Sequence, residues 1–371
     1  MPNMSISKNI RQELKIPCTL IRGGTSKGPF FLASDLPTDE QDRDTVLLSV
    51  MGSPHPFQVD GIGGGVPQAS KVAIVSSSNE NGIDVDYLFA QVMVNDAIVD
   101  TKPNCGNMLS GVGSFAIEKG LVKVIDFTED SMTLVRIRNL NTGAIVHAEV
   151  KTPNGETSYL GNEELAGVCG TSAPVNLHFF NAEGVKTGKW FPTGNMQDVI
   201  DGIKVTLIDY SVPMIHIKAS DLGITGYESF EEIDNNKSLL ARIEKIRISA
   251  GSMMGLGDVS DAVIPKVSLL AAPRNGGTVS SRYLMPWNCH KSHAVTGAMC
   301  IASSCYKEGT VCAELLPSKL KEDQAVKIEH PTGDISLSVK LEQMDSRVHI
   351  EKITVVRTAR KLFEGYVYAL I

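Results

Sequence analysis

Short segments rich in hydrophobic residues recur along the whole chain, and polar or glycine-containing stretches separate them. A period of two is typical of β-strands with one face in the core. Segments with helical spacing are fewer, so we predict more strands than helices. The alternating pattern predicts strands over residues 16–21, 71–76, 87–94, 132–138, 144–151, 205–208, 212–218 and 268–272.

Two segments follow helical rather than strand spacing. Residues 106–119 place their apolar side chains on one face and end before Gly120, a residue suited to a helix C-cap. Glycines inside this segment would weaken an exposed helix by about 1 kcal/mol each, so we expect it to lie buried among strands. A second helix is predicted over residues 236–248, and residues 139–143 are typical of a hairpin turn.

Three colinear sequence matches lie about half the chain length apart. Internal similarity at a nearly constant spacing indicates a duplicated structural unit. The matches pair Thr19-Leu-Ile21 with Thr206-Leu-Ile208, Ala33-Ser-Asp-Leu36 with Ala219-Ser-Asp-Leu222, and residues 118–122 with residues 307–311.

The duplication predicts an α+β fold of two pseudo-symmetric domains, residues 1–187 and 188–371. Each domain is expected to be a curved, barrel-like sheet around a central helix. Ligands often bind where duplicated domains meet, so we place the active site in the interdomain cleft. The sequence leaves open whether the C-terminal strand returns to the first domain.

Length and composition agree with a folded globular protein of two domains. A chain of 371 residues suits two domains, and 42% hydrophobic with 21% charged residues is ordinary for a globular protein. The net charge of −7, without any cluster of Lys and Arg, disfavours a nucleic-acid partner.

Neither a membrane anchor nor a secretory signal is apparent. No apolar run approaches the roughly 20 residues of a membrane span, and residues 1–15 lack the apolar core of a signal peptide. We therefore expect a cytoplasmic protein. Its seven cysteines form no C-x-x-C pair, so we expect mostly buried, reduced thiols without a disulfide framework or zinc knuckle.

Three glycine-rich elements occupy the first half of the chain. They fit neither the phosphate-binding loop nor the dinucleotide fingerprint, since the G-K-[ST] spacing is absent and Val66 replaces the third glycine. Each element alone is explained by ordinary turns. Together, next to polar residues, their backbone N–H groups suit carboxylate oxygens. They are Arg22-Gly-Gly-Thr-Ser-Lys-Gly28, residues 60–65 continuing to Ser70-Lys71, and Pro103-Asn-Cys-Gly-Asn107.

Cys105 and Lys71 are the candidate acid/base residues. Cys105 precedes the predicted helix of small residues, where free N–H groups favour a thiolate; the alternative is a small buried core residue. Lys71 lies between a glycine loop and an apolar strand. A closed cleft would favour its neutral amine as a base, whereas a strand-edge lysine is ordinarily solvated and inert.

The second copy supplies no matching thiol. The repeat places Ala294 at the position of Cys105 and His293 at that of Asn104, so an asymmetric acid/base pair is favoured over the two-thiol arrangement of an amino-acid epimerase. Arg282 is a candidate carboxylate clamp and His293 a hydrogen-bond donor at a helix N-terminus. A metal site at Cys289, His290 and His293 is the alternative, but it lacks a suitably spaced further ligand.

At these residues the chain resembles the PrpF family, whose fold is that of diaminopimelate epimerase. The resemblance is carried by R-G-G-T-S-K-G at residues 22–28, by D-G-I-G-G-G with S-K-V within residues 60–72, and by P-N-C-G-N at residues 103–107. It extends to S-R-Y at residues 281–283 and H-A-V-T-G-A at residues 293–298. The loop at residues 65–69 departs from the expected pattern.

The resemblance implies that Lys71 and Cys105 are catalytic and that the protein needs no metal or cofactor. Family members act on unsaturated tricarboxylates and close relatives, and several segments here are most similar to the branch acting on 4-oxalomesaconate. A homodimer is expected by analogy. The candidate substrate-binding residues are Arg22, Ser26, Gly64, Gly65, Ser70, Asn104, Gly106, Asn107, Arg282 and His293.

The resulting hypothesis is a 1,3-allylic proton shift, in which one of the two residues removes a proton and the other returns one. The main alternative is cis–trans isomerisation of aconitate or 2-methylaconitate by the same machinery. An amino-acid epimerase and a non-catalytic carboxylate-binding accessory protein are the rivals from other classes.

Overall fold

The structure is a computed structural model that describes residues 12–321, 324–344 and 347–371. The chain divides into two compact units, described separately below. Unit 1 comprises residues 1–178 and 356–371, and unit 2 comprises residues 179–355. Residues 1–11, on which the expected absence of a signal peptide mainly rests, lie outside the described part.

Unit 1 contains three α-helices and ten strands. The C-terminal part of the last strand of the chain also belongs to it. The helices are α1 (Glu40–Met51), α2 (Gly106–Leu109) and α3 (Val112–Glu118). The strands are β1 (Glu13–Gly23), β2 (Ser26–Leu32), β3 (Lys71–Ser77), β4 (Val85–Val92), β5 (Val99–Asp100), β6 (Met132–Asn139), β7 (Ile145–Lys151), β8 (Glu163–Glu164), β9 (Thr171–Ser172) and β10 (Pro174–Phe179).

Unit 2 is built from the remaining elements. Its helices are α4 (Phe230–Asn235), α5 (Lys237–Met253) and α6 (Val295–Cys305). Its strands are β11 (Asp198–Ile200), β12 (Ile203–Asp209), β13 (Pro213–Lys218), β14 (Lys266–Ala271), β15 (Val279–Leu284), β16 (Val326–His330), β17 (Gly333–Met344) and β18 (Arg347–Leu370), of which β18 continues into unit 1.

The sheet of unit 1 closes on itself. Its strand order is β1-β2-β3-β4-β6-β7-β10-β18, and β18 pairs with β1 as well. The α2–α3 segment lies inside this barrel: a side chain at Gly111 would meet the ring of Phe30 at 2.7 Å, and one at Gly113 would meet Val150 at 2.7 Å. These close approaches explain why small residues form the enclosed helix.

The outer face of the barrel is covered by α1. Asp39 caps this helix by accepting from the N–H groups of Gln41 and Asp42, and Gly52 ends it in a left-handed conformation (φ 74°). Buried residues of α1 pack against the face of the sheet that carries Val72 and Ile74. The opposite face of β3, including Lys71, is thereby directed into the barrel.

Unit 2 repeats this topology. In unit 1, β2 and β3 are parallel, as are β4 and β6; in unit 2, β13 and β14 are parallel, as are β15 and β16. The crossovers carry α1 and α2–α3 in unit 1, and α4–α5 and α6 in unit 2. Both Ala-Ser-Asp-Leu matches form short 3₁₀ helices, so the predicted duplication is confirmed.

Three details differ from the sequence-based expectations. The units divide at Phe179 rather than after residue 187, and residues 356–371 belong to unit 1 because β18 pairs with eleven residues of β1. The helix predicted over residues 106–119 is two short helices, since i→i−3 bonds from the N–H groups of Ser110 and Gly111 tighten the chain between them. Helix α1 has no counterpart among the predicted elements.

Within the described residues, no helix is both long and apolar enough to cross a membrane. All seven cysteines are free; five are buried, Cys105 is half-buried and Cys169 is exposed. The expectation of mostly buried thiols is therefore confirmed. The cytoplasmic location and the homodimer stay predictions.

Candidate active site

Cys105 stands at the start of the helix enclosed by unit 1. It is the N-cap residue of α2, with extended backbone angles (φ −135°, ψ 98°), and its side chain does not bond to the helix. The first N–H groups of a helix lack intrahelical acceptors and favour negative charge beside them. Cys105 therefore stands at a helix start, as the sequence predicted, and its catalytic role stays a prediction.

The residue before the cysteine is fixed by the hairpin that the sequence predicted. Asn104 accepts a hydrogen bond of 2.7 Å on its Oδ1 from the side-chain amide of Asn139, at the end of β6. The backbone N–H of Asn139 donates to the carbonyl oxygen of Ala144 and thereby closes the turn to β7. The turn thus orients the loop that carries Cys105.

Lys71 is the first residue of β3 and is half-buried on the inner face of the barrel. Its Nζ donates to Oε1 of Gln91 at 2.5 Å and lies 5.0 Å from the centre of the Phe89 ring. Both partners sit on β4, where Gln91 is directly opposite Lys71. The amine thus has an amide and an aromatic face as neighbours, not a carboxylate.

The orientation of Gln91 is fixed by its own amide nitrogen. That nitrogen donates to the carbonyl oxygens of Ser70 at 2.8 Å and Pro67 at 3.1 Å. The carbonyl oxygen of Gln91 is consequently the atom presented to Lys71. A neutral acceptor stabilises an ammonium less than a carboxylate would.

The Arg22-Gly-Gly-Thr turn packs against the first turn of α2. A side chain at Gly23 would meet the carbonyl oxygen of Asn107 at 2.4 Å, and one at Gly24, where φ is +53°, would meet the Asn107 amide at 2.2 Å. The Asn107 amide donates to the hydroxyl of Thr25 at 3.0 Å. These contacts bring the first and third glycine-rich elements together.

Gly28 joins the same elements to Lys71. A side chain there would meet the Lys71 carbonyl oxygen at 1.8 Å and the end of Met108 at 3.1 Å. Only glycine permits β2 to pass so close to β3 and α2. The glycine-rich motifs predicted to form one site are in fact adjacent within unit 1.

Hydrogen bonds within the second glycine-rich element and its neighbouring residues hold it in place. The N–H groups of Gly64 and Gly65 donate to the carbonyl of Ala69 at 3.0 Å and to Oε1 of Gln58 at 2.9 Å. The buried Ser70 hydroxyl accepts from Gln58 at 2.7 Å and donates to the Val92 carbonyl at 2.8 Å. These groups therefore hold the loop before Lys71; direct contact of Gly64, Gly65 or Ser70 with substrate stays a prediction.

Arg22 is anchored to the C-terminal strand. Its Nη1 donates to the carbonyl of Gly24 at 2.9 Å and to the carbonyl and hydroxyl of Thr358, each at 3.0 Å. Its Nη2 donates to the Ser172 hydroxyl at 3.1 Å. Burial first, and then the charge of Arg360, lower the pKa of Arg22. Arg22 is thus a fixed cation beside the buried Ser26.

A cavity of about 370 Å³ opens beside this arrangement in unit 1. Its walls come from the first glycine-rich turn, from the residues just before Ser70, from the β8–β9 loop and from β18. Its lining residues include Arg22, Thr25, Lys27, Gln68, Cys169 and Arg360. A cavity of this size suits a small metabolite.

Arg282 and His293 lie in unit 2, where Ser281 connects them. Arg282 is buried on β15; its Nε donates to the Glu228 carbonyl and one Nη to the Ser281 carbonyl at 3.2 Å. Burial lowers the pKa of Arg282. His293 Nε2 lies 3.0 Å from the Ser281 hydroxyl, one residue before Ala294, the N-cap of α6. Their roles in binding substrate stay predictions.

The alternative metal site finds no geometric support in the described chain. Among residues 12–321, 324–344 and 347–371, no three His, Cys, Asp or Glu side chains are grouped so that they could hold a metal ion. His290 Nδ1 instead accepts from the N–H of Ser292 at 2.9 Å.

Comparison with known proteins places the chain in a family. Residues 13–370 match the model described as PrpF protein. The chain belongs to the PrpF family. It is 51% identical over 354 residues to YbhH of Escherichia coli, named as a candidate isomerase, covering 95% of this chain and 99% of that one.

Relatives of this PrpF-family chain carry more specific names. It is 46% identical to the (4E)-oxalomesaconate Delta-isomerase of a Novosphingobium species, covering 95% of this chain and 97% of the relative. It is 45% identical to the 4-oxalomesaconate tautomerase of Pseudomonas putida, covering 96% of each chain.

Solved structures agree with the fold. A methylitaconate-delta-isomerase superposes with a TM-score of 0.84 at 36% identity, covering 96% of each chain. A hydroxyproline epimerase from Agrobacterium vitis superposes with a TM-score of 0.56 at 12% identity, covering 98% of this chain and 94% of the other. The second likeness confirms the predicted epimerase-like fold and nothing further.

Sequence reasoning missed several groups around the site. Gln91 sits in a strand whose other residues on the same face, Val85, Tyr87 and Phe89, are all hydrophobic or aromatic, and this break in the pattern was a usable signal. Arg360 and Thr358 gave no local signal, because strand pairing alone brings them to Arg22.

Proposed function

We propose that this chain is a cofactor-independent isomerase that shifts a proton between two carbons of a small unsaturated tricarboxylate, with 4-oxalomesaconate as its substrate. The observation that carries the proposal is that two candidate acid/base groups stand on adjacent elements of unit 1, β3 and α2, which both closely approach Gly28. One is Lys71, whose amine has a neutral amide partner. The other is the half-buried thiol of Cys105 at the start of α2.

A 1,3-allylic shift needs only an acid and a base. One of Lys71 and Cys105 removes a proton from the carbon next to the double bond, and the electron pair delocalises into the conjugated carbonyl as a dienolate. The other residue then delivers a proton to the far carbon of the allylic unit. Protons and charge balance over the cycle, and no electron acceptor is consumed.

The dienolate carries additional negative charge on oxygen and needs fixed positive groups. Arg22 is suited to this role because four acceptors on Gly24, Thr358 and Ser172 hold its guanidinium in place. A charge that does not have to reorganise stabilises an anionic intermediate more than a mobile one does.

The substrate class is supported by the relatives named for 4-oxalomesaconate at 45% and 46% identity. A second candidate is cis–trans isomerisation of 2-methylaconitate, for which a 2-methyl-aconitate isomerase of Shewanella oneidensis is 35% identical over 96% of this chain. Rotation of the same dienolate before reprotonation would give that product.

Proton NMR in deuterium oxide tests the proposal directly. The native protein is incubated separately with 4-oxalomesaconate, 2-methylaconitate, cis-aconitate and trans-aconitate. We expect solvent deuterium at the allylic carbon and a new double-bond position with 4-oxalomesaconate, at a rate far above the buffer. Exchange only with 2-methylaconitate would favour the second candidate. Absence of exchange with all four acids would contradict an isomerase and favour a non-catalytic binding protein.

A further inference from the structure

Tyr87 is a fully buried tyrosine on the inner wall of the unit 1 barrel. Phe89 and Gln91 follow it at every second position of β4, and both lie at the Lys71 amine. Side chains at alternate positions of a strand point to the same face of the sheet. Tyr87 therefore projects from the face that carries the Lys71 side chain, toward the enclosed α2–α3 segment.

The strand beside β4 connects Tyr87 with the loop that carries Cys105. Tyr87 lies directly opposite Asn139, at the end of β6, so the two side chains share a face. The Asn139 amide donates to Oδ1 of Asn104 at 2.7 Å, and Asn104 immediately precedes Cys105. Tyr87 thus stands next to the residue that anchors the Cys105 loop.

The hydroxyl of Tyr87 is a buried polar group without a partner. Within the described chain, no side-chain or backbone group forms a hydrogen bond with its oxygen. A buried hydroxyl that lacks a partner destabilises the folded state. Phenylalanine would fill the same space without that penalty, so the hydroxyl is retained at the expense of stability. Such a trade is typical of groups that serve a reaction.

The ionisable side chain that acts on this hydroxyl is Cys105. Burial first, and then the charge of Cys105, raise the pKa of Tyr87 well above its ordinary value. The phenol consequently stays protonated and remains a hydrogen-bond donor when the thiol ionises. The residues directly opposite Tyr87 on the two adjacent strands, Val75 and Asn139, are uncharged.

The charged residues next in sequence to Tyr87 and Asn139 belong to the other face of the sheet. Asp86 and Arg138 are also directly opposite each other. They form a paired contact, with Nε to Oδ1 at 2.8 Å and Nη2 to Oδ2 at 2.7 Å. Their charges compensate each other on the outer side, which leaves the thiol as the charge beside the Tyr87 hydroxyl.

Tyr87 and Cys105 differ in their access to a substrate. Tyr87 is 0% exposed, whereas Cys105 is half-buried. A substrate that approaches the thiol therefore contacts Cys105 and not the phenol. The hydrogen of a tyrosine hydroxyl rotates about the C–O bond to suit its surroundings, so it turns toward the sulfur when negative charge forms there.

We propose that Tyr87 is a positioning residue that stabilises the thiolate form of Cys105 through its O–H dipole. The inference rests on the proposed function only for what the thiolate then does to a substrate. A donor interacts about twice as strongly with an ionised acceptor as with a neutral one, so the hydroxyl favours the thiolate over the thiol. The Tyr87 proton stays on its oxygen throughout.

Alkylation of Cys105 tests this role without any substrate. Iodoacetamide is uncharged and reacts with thiolates, and its rate at each cysteine is followed by peptide mass spectrometry from about pH 6 to about pH 10. We expect Tyr87→Phe to slow alkylation of Cys105 about tenfold near neutral pH and to approach the native rate at the alkaline end. The exposed Cys169 is the internal reference, whose rate should be the same in every variant.

Thr19→Val is the matched control for removal of a hydroxyl. Thr19 is also fully buried in unit 1, and its hydroxyl likewise has no partner among the described residues. It lies on β1 opposite Phe30, and two strands separate β1 from β4. Both variants should keep or raise Tm, measured by circular dichroism, because each loses an unsatisfied hydroxyl. Only Tyr87→Phe should change the pH profile of Cys105.

An unchanged Cys105 profile in Tyr87→Phe would overturn the proposal. Slowing by one factor at every pH, or a lower Tm, would overturn it as well, since the hydroxyl would then shape the loop and not the charge of the thiol.

The deuterium-exchange assay separates these failures from failure of the proposed function. A native protein that exchanges deuterium, with an unaltered Cys105 profile in Tyr87→Phe, retains the isomerase without this role of Tyr87. A native protein that exchanges none of the acids, while Tyr87→Phe shows the expected profile, retains the role of Tyr87 without the isomerase.

Discussion

The two units use the same positions differently. The first residue of the third repeated strand is Lys71 in unit 1 and Lys266 in unit 2, and the N-cap of the enclosed helix is Cys105 in unit 1 and Ala294 in unit 2. Lys71 binds an amide oxygen beside an aromatic ring. Lys266 instead donates to the Met285 carbonyl at 3.1 Å. The duplication therefore preserved the scaffold, while one copy alone kept both reactive groups.

This contrast explains why an asymmetric pair is expected. A fold with a thiol at both helix starts would present two equivalent acid/base groups to one carbon. With alanine at residue 294, the second group has to come from another element, and Lys71 is the reactive residue that unit 1 itself provides. Two groups of different chemistry suit proton transfer between two different carbons. Two equivalent groups suit removal and return of a proton on opposite faces of one carbon.

The largest expected effect is loss of the thiol. Cys105→Ala should lower kcat by roughly 10² or more with little change in Tm, because a half-buried N-cap residue contributes proton transfer and not packing. Turnover is measured by proton NMR and folding by circular dichroism. Adding Ala294→Cys at the equivalent position should restore nothing. Near-native turnover of Cys105→Ala would make the thiol a packing residue.

Replacement of the lysine should be nearly as severe. Lys71→Ala is expected to lower kcat by roughly 10², and the double variant with Cys105→Ala should be scarcely slower than the slower single variant, since both act in one proton relay. The matched control is Lys266→Ala, which should keep turnover and lose stability. Multiplicative losses in the double variant would indicate independent roles.

A smaller effect is expected at the amide that holds Lys71. Gln91→Leu removes the oxygen bonded to Nζ at 2.5 Å and should lower kcat about tenfold with KM nearly unchanged. Gln91→Glu introduces a carboxylate that favours the ammonium, so the low-pH limb of the rate profile should move to higher pH. An unaltered pH profile in Gln91→Glu would argue that the amide only supports the turn at residues 67–70.

The smallest effect concerns stability in unit 2. Burial first, and then the Arg247 charge, lower the pKa of Lys266 from 10.5 to about 8. Between these values the unfolded chain binds more protons than the folded chain, so this group makes stability rise with pH, by at most about 1.4 kcal/mol per pH unit. Lys266→Met should remove that rise.

The measurement is the difference in unfolding free energy between native protein and Lys266→Met from pH 7 to pH 10.5, obtained by urea denaturation. Taking the difference cancels the buried thiols, such as Cys300, whose pKa burial raises to about 12. A difference that stays constant across the range would show that Lys266 has an ordinary pKa in the folded protein.

Local chemistry in the sequence was sufficient for most of the elements and for the places of the two candidate acid/base residues at a strand start and a helix start. Alternation of apolar side chains depends only on near neighbours, and it located β1, β3, β4, β6 and β7 within a few residues. The position of Cys105 at a helix start follows from the residues around it. The duplication also followed from sequence, because both copies must satisfy the same packing constraints.

The sequence also determined which residue types the close approaches require, as at Gly28 against the Lys71 carbonyl. The sequence did not determine which residues these glycines approach. Helix α1 was missed although Asp39 and Gly52 mark its ends, since its surface face blurs the helical period. The single helix expected over residues 106–119 is divided because the tight turn at Ser110 and Gly111 follows from the surrounding barrel.

Tertiary structure alone decided the composition of the cavity. Thr358 binds Arg22 from 336 residues further along the chain, and Arg360 lies opposite Arg22 only because β18 returns to pair with β1. Strand order and register are set by the burial of whole faces, which sums over many distant residues. A sequence read locally can therefore point to Lys71 and Cys105 as candidates, whereas only the fold determines which charged side chains line the cavity of unit 1.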